Sequence, residues 1–399
     1  MFMLEKAASR NSRYWAWIAC LLCVIAGGFI CYLRQFDSGL GITGLSRDVT
    51  WGLYIAQFTF LVGVAASAVM VVLPYYLHHY KAFAKITILG EFLAISAVVM
   101  CMLFIFVDMG QPTRVLNVLL YPTPHSMMFW DMVSLSGYLL LNATIALVTL
   151  KAEREGSAPP RWIKPVILLS IPWAVSIHTV TAFLYNGLPG RSLWLTAILA
   201  PRFLASAFAS GPSLLILLCL LIGKLTRNPI PKEPVQKLAV IVTYAMSISV
   251  FFVLMEFFTS LYSGIPEHSE SLRYMFTGLD GHAALAPWMW VSMLFAAISL
   301  VLLIVPRYRE NDKLLPIACV LVFLSLWIDK GIGLIVAAFV PSPLGHITEY
   351  APSFPEMMIA LGIWAVGFLI LTVLYKIALS VREGLLFSSA PVTRVGAAS

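Results

Sequence analysis

The chain has 399 residues, of which 60% are hydrophobic and only 11% are charged, and its mean hydropathy is +0.89. Soluble domains carry about a quarter charged residues, so this composition excludes an ordinary soluble protein. Runs of about 20 apolar residues, the length that crosses a bilayer as a helix, recur along the whole chain. The net charge of +7 is therefore better explained by asymmetry between loops than by a nucleic-acid-binding surface.

Ten apolar segments are predicted to cross the membrane, so we expect an all-α polytopic helical bundle that forms one integral membrane domain over 1–399. The core helices are expected at about 50–340, with a peripheral first helix at 15–33 and a peripheral last helix at 356–379. The segments between them, here called spans two to nine, cover 50–77, 83–109, 127–150, 162–185, 203–222, 238–262, 286–305 and 314–339.

Basic residues are divided unevenly between the two sides of the predicted bundle. Nineteen of the 26 Lys and Arg residues lie at the termini and in the even-numbered connections, six lie in the odd-numbered connections, and Lys330 lies inside span nine. Because cytoplasmic loops carry an excess of Lys and Arg, both termini are predicted to be cytoplasmic. The first segment resembles a signal sequence, but no small-x-small cleavage site follows it, so we interpret it as a retained helix.

Acidic residues occur inside or at the ends of several spans. Asp108 closes span three, and Asp131 lies about one turn inside span four, so both are predicted near the outer face. Glu256 lies towards the outer end of span seven, and Glu91 lies towards the inner end of span three. A charge in a membrane is costly unless it is paired or used, which makes these acids functional candidates. Asp108 could alternatively be solvated, or cap a neighbouring helix.

Further polar side chains are predicted in the outer half of the bundle. His178 lies in span five, and Tyr54 and Gln57, three residues apart, are expected to share one face of span two. His178 could alternatively be a hydrogen-bonded core histidine. Asp329 and Lys330 are adjacent in span nine, so we expect them to point in different directions and to serve as structural partners of other spans.

The positions of histidine and cysteine argue against a metal centre. All six cysteines lie in apolar spans, and the Cys20–Cys23 pair lacks the second pair that a zinc or iron–sulfur site needs. There is no CxxCH haem-attachment motif, and of the seven histidines only His178 lies well inside a span. We therefore expect no haem and no iron–sulfur cluster in this chain.

Three motifs resemble those of the NrfD/polysulfide reductase membrane-subunit family. They are WGLYIAQFTFLVGVAASAV from Trp51, VDMGQPTRVLNVLLYP followed by HSMMFWDM, and SIHTVTAF around His178. The resemblance is good over roughly 50–220 and looser in the last four helices. Within the family, the sequence is most similar to the P subunit of the Dsr sulfite-reduction-associated electron transfer complex.

The resemblance implies a haem-free subunit that exchanges electrons between the membrane quinone pool, menaquinone or another quinone, and a periplasmic iron–sulfur ferredoxin-like subunit. Other cytochrome and iron–sulfur subunits of the same complex are implied as partners. The implied quinone pocket lies near the outer face, between the helices that carry Asp131 and His178, with Asp108 as the acid that closes the third helix. Glu256 resembles a glutamate of the seventh helix.

Quinol chemistry fits these residue types. Oxidation releases two protons with two electrons, so a quinol site needs proton acceptors near each hydroxyl, and histidine or a buried carboxylate can serve. The predicted quinone-binding residues are Asp131, His178, Tyr54 and Gln57, and the predicted proton-transfer residues are Asp108, Glu256 and Glu91.

The sequence thus predicts a quinone-reactive subunit of a respiratory complex in a bacterial or archaeal cytoplasmic membrane, acting in dissimilatory sulfur metabolism. A proton-coupled secondary transporter is the alternative, because buried acids and the Asp329–Lys330 pair suit a carrier equally well. Against it, the polar residues concentrate at one face and no paired broken helices are evident. A passive anchor would leave the buried acids unexplained.

Overall fold

The computed structural model describes residues 12–77, 80–226 and 231–388. Within these ranges ten helical segments are long and apolar enough to cross a membrane, which confirms the predicted number of spans and the all-α class. Their helices are Ser12–Ser38, Leu53–Ala65 with Val69–Leu77, Ala84–Asp108, Met127–Arg154, Ile163–Asn186, Leu199–Thr226, Lys232–Tyr262, Ala286–Ile304, Leu314–Leu326 with Leu334–Ala337, and Phe354–Ser388.

Span two lies at the centre of the bundle. Every residue of its helix Leu53–Ala65 is buried, and it contacts spans three, five, six, nine and ten. Span one lies at the periphery, where it packs on span ten. Gly28 and Gly362 allow these two helices to approach closely, since a Cβ at Gly28 would lie 2.9 Å from the Gly362 Cα.

Two spans are not continuous α-helices, although no paired broken helices were evident in the sequence. Span two is interrupted at 66–68, where Ser67 donates its backbone N–H to Val64 in a tight turn and its hydroxyl to the Gly90 carbonyl. Gly211 leaves room for this turn, because a Cβ there would lie 2.8 Å from the Ser67 nitrogen. In span nine, Trp327–Gly333 forms a π-helix, a feature frequent at functional sites.

The connections that follow spans one, three, five, seven and nine lie together on one side of the bundle, here called the loop face. They are 39–52, 109–126, 187–198, 263–285 and 338–353. They are held to one another by hydrogen bonds. Thr348 donates to the Asp48 carboxylate at 3.1 Å, and Ser192 donates to the Glu267 carbonyl at 2.5 Å. The connection before span eight contains a further helix, Pro266–Phe276, that packs on the spans below it.

Candidate functional site

Three charged side chains from spans six, seven and nine form a buried cluster. The Arg202 Nη2 lies 2.9 Å from both carboxylate oxygens of Asp329, and Nη1 pairs with Glu256. The prediction that Asp329 is a structural partner of another span is thereby confirmed. The placement of Arg202 in a connection is wrong, because the helix of span six begins at Leu199 and buries this side chain. Glu256, predicted to transfer protons, is instead held in an ion pair, although its Oε1 has no partner.

Lys330 lies beside this cluster. Asp329 and Lys330 both lie in the π-helix and are both buried, but they meet different neighbours, since Asp329 pairs with Arg202 and Lys330 does not. The Lys330 Nζ has no hydrogen-bond partner and lies 4.3 Å from the centre of the Phe203 ring, within the range of a cation–π contact.

Asp131 and His178 lie on the adjacent spans four and five. Thr181, one turn beyond His178, donates its hydroxyl to the Asp131 Oδ1 at 2.7 Å. His178 is completely buried, and neither of its ring nitrogens has a hydrogen-bond partner. Because an unpaired buried polar group is costly, this histidine is a candidate for more than packing.

Tyr54 lies near Asp108 at one end of span three, whereas Glu91 lies towards the other end. Tyr54 donates to the Gln35 Oε1 of span one at 2.7 Å, and Gln35 donates in turn to the Val107 carbonyl at 2.6 Å. Asp108 follows Val107 and has an enclosed Oδ1 without a partner. Glu91, whose two oxygens are also unpartnered, lies 17 residues earlier and therefore about 25 Å away along the helix. Tyr54 thus connects to the Asp108 end of span three.

A cavity of about 430 Å³ opens near the loop face between spans two, eight, nine and ten. Its walls are mostly aliphatic and aromatic, with Gln57, Tyr274 and Tyr350 among the few polar residues. Trp288 and Leu361 belong to its lining and are each 54% exposed on the outside of the bundle. The cavity is therefore accessible from the lipid-facing side of spans eight and ten. Of the four predicted quinone-binding residues, only Gln57 lines it.

The Gln57 amide has a defined orientation in this cavity. Its Oε1 accepts hydrogen bonds from the indole nitrogens of Trp327 and Trp364, each at 2.9 Å. An indole N–H can only donate, so both indoles must face the amide oxygen. The Gln57 Nε2 consequently remains able to donate to an oxygen atom of a ligand. Tyr54 and Gln57 therefore serve different neighbours, and the expectation that they share one face of span two stays a prediction.

Sequence reasoning missed the polar residues at the rim of the cavity. Tyr350 lines the cavity and donates to Glu356, which is fully buried at the start of span ten. Tyr350 lies in a connection, and Glu356 occupies the first helical turn, where an acid is common for reasons of local helix stability. No local signal distinguishes this pair. Trp327 and Trp364 likewise resemble interfacial aromatic residues.

Metal-ligating side chains do not assemble in the described ranges. No three His, Cys, Asp or Glu residues there are placed to hold a metal ion. Cys20 and Cys23 are exposed on span one, whereas Cys101, Cys219 and Cys319 are buried on three different spans. The expectation that this chain has no haem or iron–sulfur cluster of its own stays a prediction.

The chain is similar to subunits of reductases and of a menaquinol oxidoreductase. It is 23% identical to the Hdr-like menaquinol oxidoreductase integral membrane subunit of Archaeoglobus fulgidus, over 95% of this chain and 96% of that protein. It is 22% identical to the menaquinone reductase integral membrane subunit of Nitratidesulfovibrio vulgaris, over 92% and 91% of the two chains. It is 23% identical to a subunit of the selenate reductase of Mesobacillus selenatarsenatis, over 88% and 90%.

None of these relatives singles out the Dsr branch, which stays a prediction. Residues 41–341 match the family described as polysulphide reductase, NrfD. This match covers most of the chain, including spans two to nine, eight of the ten in the described residues. The chain is therefore a multi-pass membrane protein that belongs to the NrfD family.

Proposed function

We propose that this chain is the quinone-reactive membrane subunit of a respiratory oxidoreductase complex. The names of its relatives support this role, since two of them specify menaquinol or menaquinone and all three are subunits. Electrons would pass between the quinone and an iron–sulfur partner docked on the loop face. The charge distribution supports placing that face on the periplasmic side. A place in dissimilatory sulfur metabolism remains part of the proposal.

The observation that carries the proposal is an amide donor in an apolar cavity that lipid can reach. A quinone has a flat apolar ring with two oxygens and an isoprenoid tail that prefers lipid. The cavity volume of about 430 Å³ lies within the range of about 300–1,000 Å³ that small-molecule sites occupy. The Gln57 Nε2 can donate to one quinone oxygen, while the tail leaves past Trp288 and Leu361.

Asp131 and His178 stay candidates for function, but they do not line this cavity. We assign them to proton transfer within the bundle instead of contact with the head group. The Thr181–Asp131 hydrogen bond and the unpartnered imidazole of His178 support a role beyond packing. Asp108 and Glu91, with enclosed and unpartnered oxygens, are assigned to the same task. Glu256 is better assigned to the ion-pair cluster, since Arg202 already holds it.

A proton-coupled transporter is the second candidate function. The interruption of span two and the π-helix of span nine favour it, because transporters often bind substrate at broken helices. Family membership and the lipid-accessible cavity favour the quinone function.

The two functions differ in what the purified complex does with a quinol. We expect menadiol, a soluble menaquinol analogue, to reduce the iron–sulfur or cytochrome partners of the complex, as followed by visible absorption. A complex that shows no quinol-dependent reduction, and that moves a solute into proteoliposomes along a proton gradient, would instead be a transporter.

A further inference from the structure

The carboxylate of Glu356 is buried beside the cavity, where Glu356 and Ser353 form a capping box at the start of span ten that does not involve Tyr350 or Gly44. It is 0% exposed and accepts hydrogen bonds from the Tyr350 hydroxyl, the Gly44 N–H at 3.0 Å and the Ser353 N–H at 3.3 Å. No cation pairs with it among the described residues. Its two oxygens thus accept from three donors, of which two are backbone N–H groups and the third is a phenol.

Tyr350 connects this carboxylate to the cavity. Its hydroxyl donates to the Glu356 Oε1 and accepts the backbone N–H of Leu53 at 2.7 Å. Both Tyr350 and Leu53 line the cavity. The ring is fixed against Gly52, where a Cβ would overlap it. Burial, and then the charge of Glu356, raise the pKa of Tyr350, so the phenol keeps its proton and can act only by passing one on.

We propose that Tyr350 and Glu356 form the proton-accepting arm of the quinol site, an inference that rests on the proposed function. A quinol hydroxyl donates to the Tyr350 oxygen while the Tyr350 proton moves to the Glu356 carboxylate. The electrons released in this step pass to the iron–sulfur partner, so one O–H bond of the quinol breaks for each proton accepted. Glu356 then releases its proton at the loop face beside Gly44, and the phenol returns to its starting orientation. Quinone reduction would use the same steps in reverse.

This arm lies outside the part of the chain that defines the family. The family match ends at residue 341, whereas Tyr350 and Glu356 belong to the connection before span ten and to its first turn. The other charged or titratable groups that interact with the pair are Tyr54 and Asp108. Asp108 lies at the loop-face end of span three, so the arm can deliver protons close to the acid that sequence reasoning singled out.

The test compares matched variants of the assembled complex with menadiol as the probe. Glu356→Gln has nearly the same shape and retains an acceptor for Gly44, yet it cannot accept a proton. We expect it to bind menadione, the oxidised analogue, within about twofold of the wild-type affinity and to oxidise menadiol about 10²–10⁴-fold more slowly. Glu349→Gln is the control, because Glu349 is exposed and bonds only the Ala284 N–H, so its rate should stay at the wild-type level.

Two further measurements separate proton transfer from a structural role. Redox-induced infrared difference spectra should show a carboxyl band that is present in the wild type and Glu349→Gln but absent in Glu356→Gln. Glu356→Asp should recover part of the rate, and Tyr350→Phe should lower the rate as Glu356→Gln does. Tyr274→Phe alters the same cavity without touching a carboxylate hydrogen bond, so it should leave the infrared band in place.

The outcomes distinguish the two levels of the proposal. If wild-type complex oxidises menadiol and Glu356→Gln does so at the same rate, the proton arm is wrong and the quinone function stands. If the wild-type complex neither binds menadione nor oxidises menadiol, the quinone function itself is wrong. A second pattern of results would also overturn the arm. In that pattern the Glu356→Gln complex fails to assemble, and the Glu356→Asp complex assembles but oxidises menadiol slowly and shows no carboxyl band.

Discussion

Replacing Gln57 with leucine removes the polar contact on which the quinone site depends. The substitution deletes the Nε2 donor, and a net hydrogen bond of this kind contributes about 0.5–1.5 kcal/mol. We therefore expect the dissociation constant of menadione to rise by about 2–13-fold. It also deletes the acceptor shared by Trp327 and Trp364, whose N–H groups each cost about 1–3 kcal/mol if left unpaired in a buried site. The effect on stability should thus exceed the effect on binding.

A titration of the purified complex with menadione, made only on assembled material, separates these two effects. Adding Trp364→Phe to Gln57→Leu removes one unpaired indole N–H, so the double variant should melt at a higher temperature than Gln57→Leu alone. Gln236→Leu is the control. Gln236 lies near the start of span seven, at the end away from the loop face and the cavity, and it bonds only the Arg309 carbonyl. Wild-type menadione affinity in assembled Gln57→Leu complex would refute the placement of the head group beside Gln57.

Three other predictions follow from the buried charges and from the charge distribution. Arg202→Met leaves two buried carboxylates without their cation and should cost about 3–5 kcal/mol, seen as a lower melting temperature; the same change at Lys232, in an exposed pair with Asp312, should cost about 1 kcal/mol or less. Asp131→Asn should slow menadiol oxidation about 10²–10⁴-fold with unchanged menadione affinity, and a normal rate would remove Asp131 from proton transfer. A reporter fused after Ser399 should report the cytoplasm and one inserted near Thr123 the periplasm, and the reverse result would invert the predicted faces.

The elements that hydropathy determines were predictable from the sequence. Ten spans and an all-α bundle follow from lengths of apolar chain, and the burial of Asp131 and His178 follows from their depth within two of those spans. Helix ends are determined less sharply. The predicted start of span six was four residues too late, which placed Arg202 in a connection. The ion-pair cluster could therefore not be predicted from the sequence.

The partners of the polar residues in the cavity escaped prediction for a different reason. Gln57 finds its indole partners 270 and 307 residues away, and Tyr350 finds Leu53 at a separation of 297. No periodicity within one helix reports such pairings, since they depend on how spans two, nine and ten pack. Tyr54 and Gln57 illustrate the same limit. Their spacing of three residues predicts that they share a face of span two, but it does not predict which residues they contact.

A density map of the purified complex with menaquinone bound tests the central claim most directly. The account predicts a head group in the cavity between spans two, eight, nine and ten, with one quinone oxygen within about 3.2 Å of the Gln57 Nε2. The isoprenoid tail should leave past Trp288 and Leu361 into the lipid. A head group lying instead against Asp131 and His178, with the Gln57 cavity empty, would contradict it.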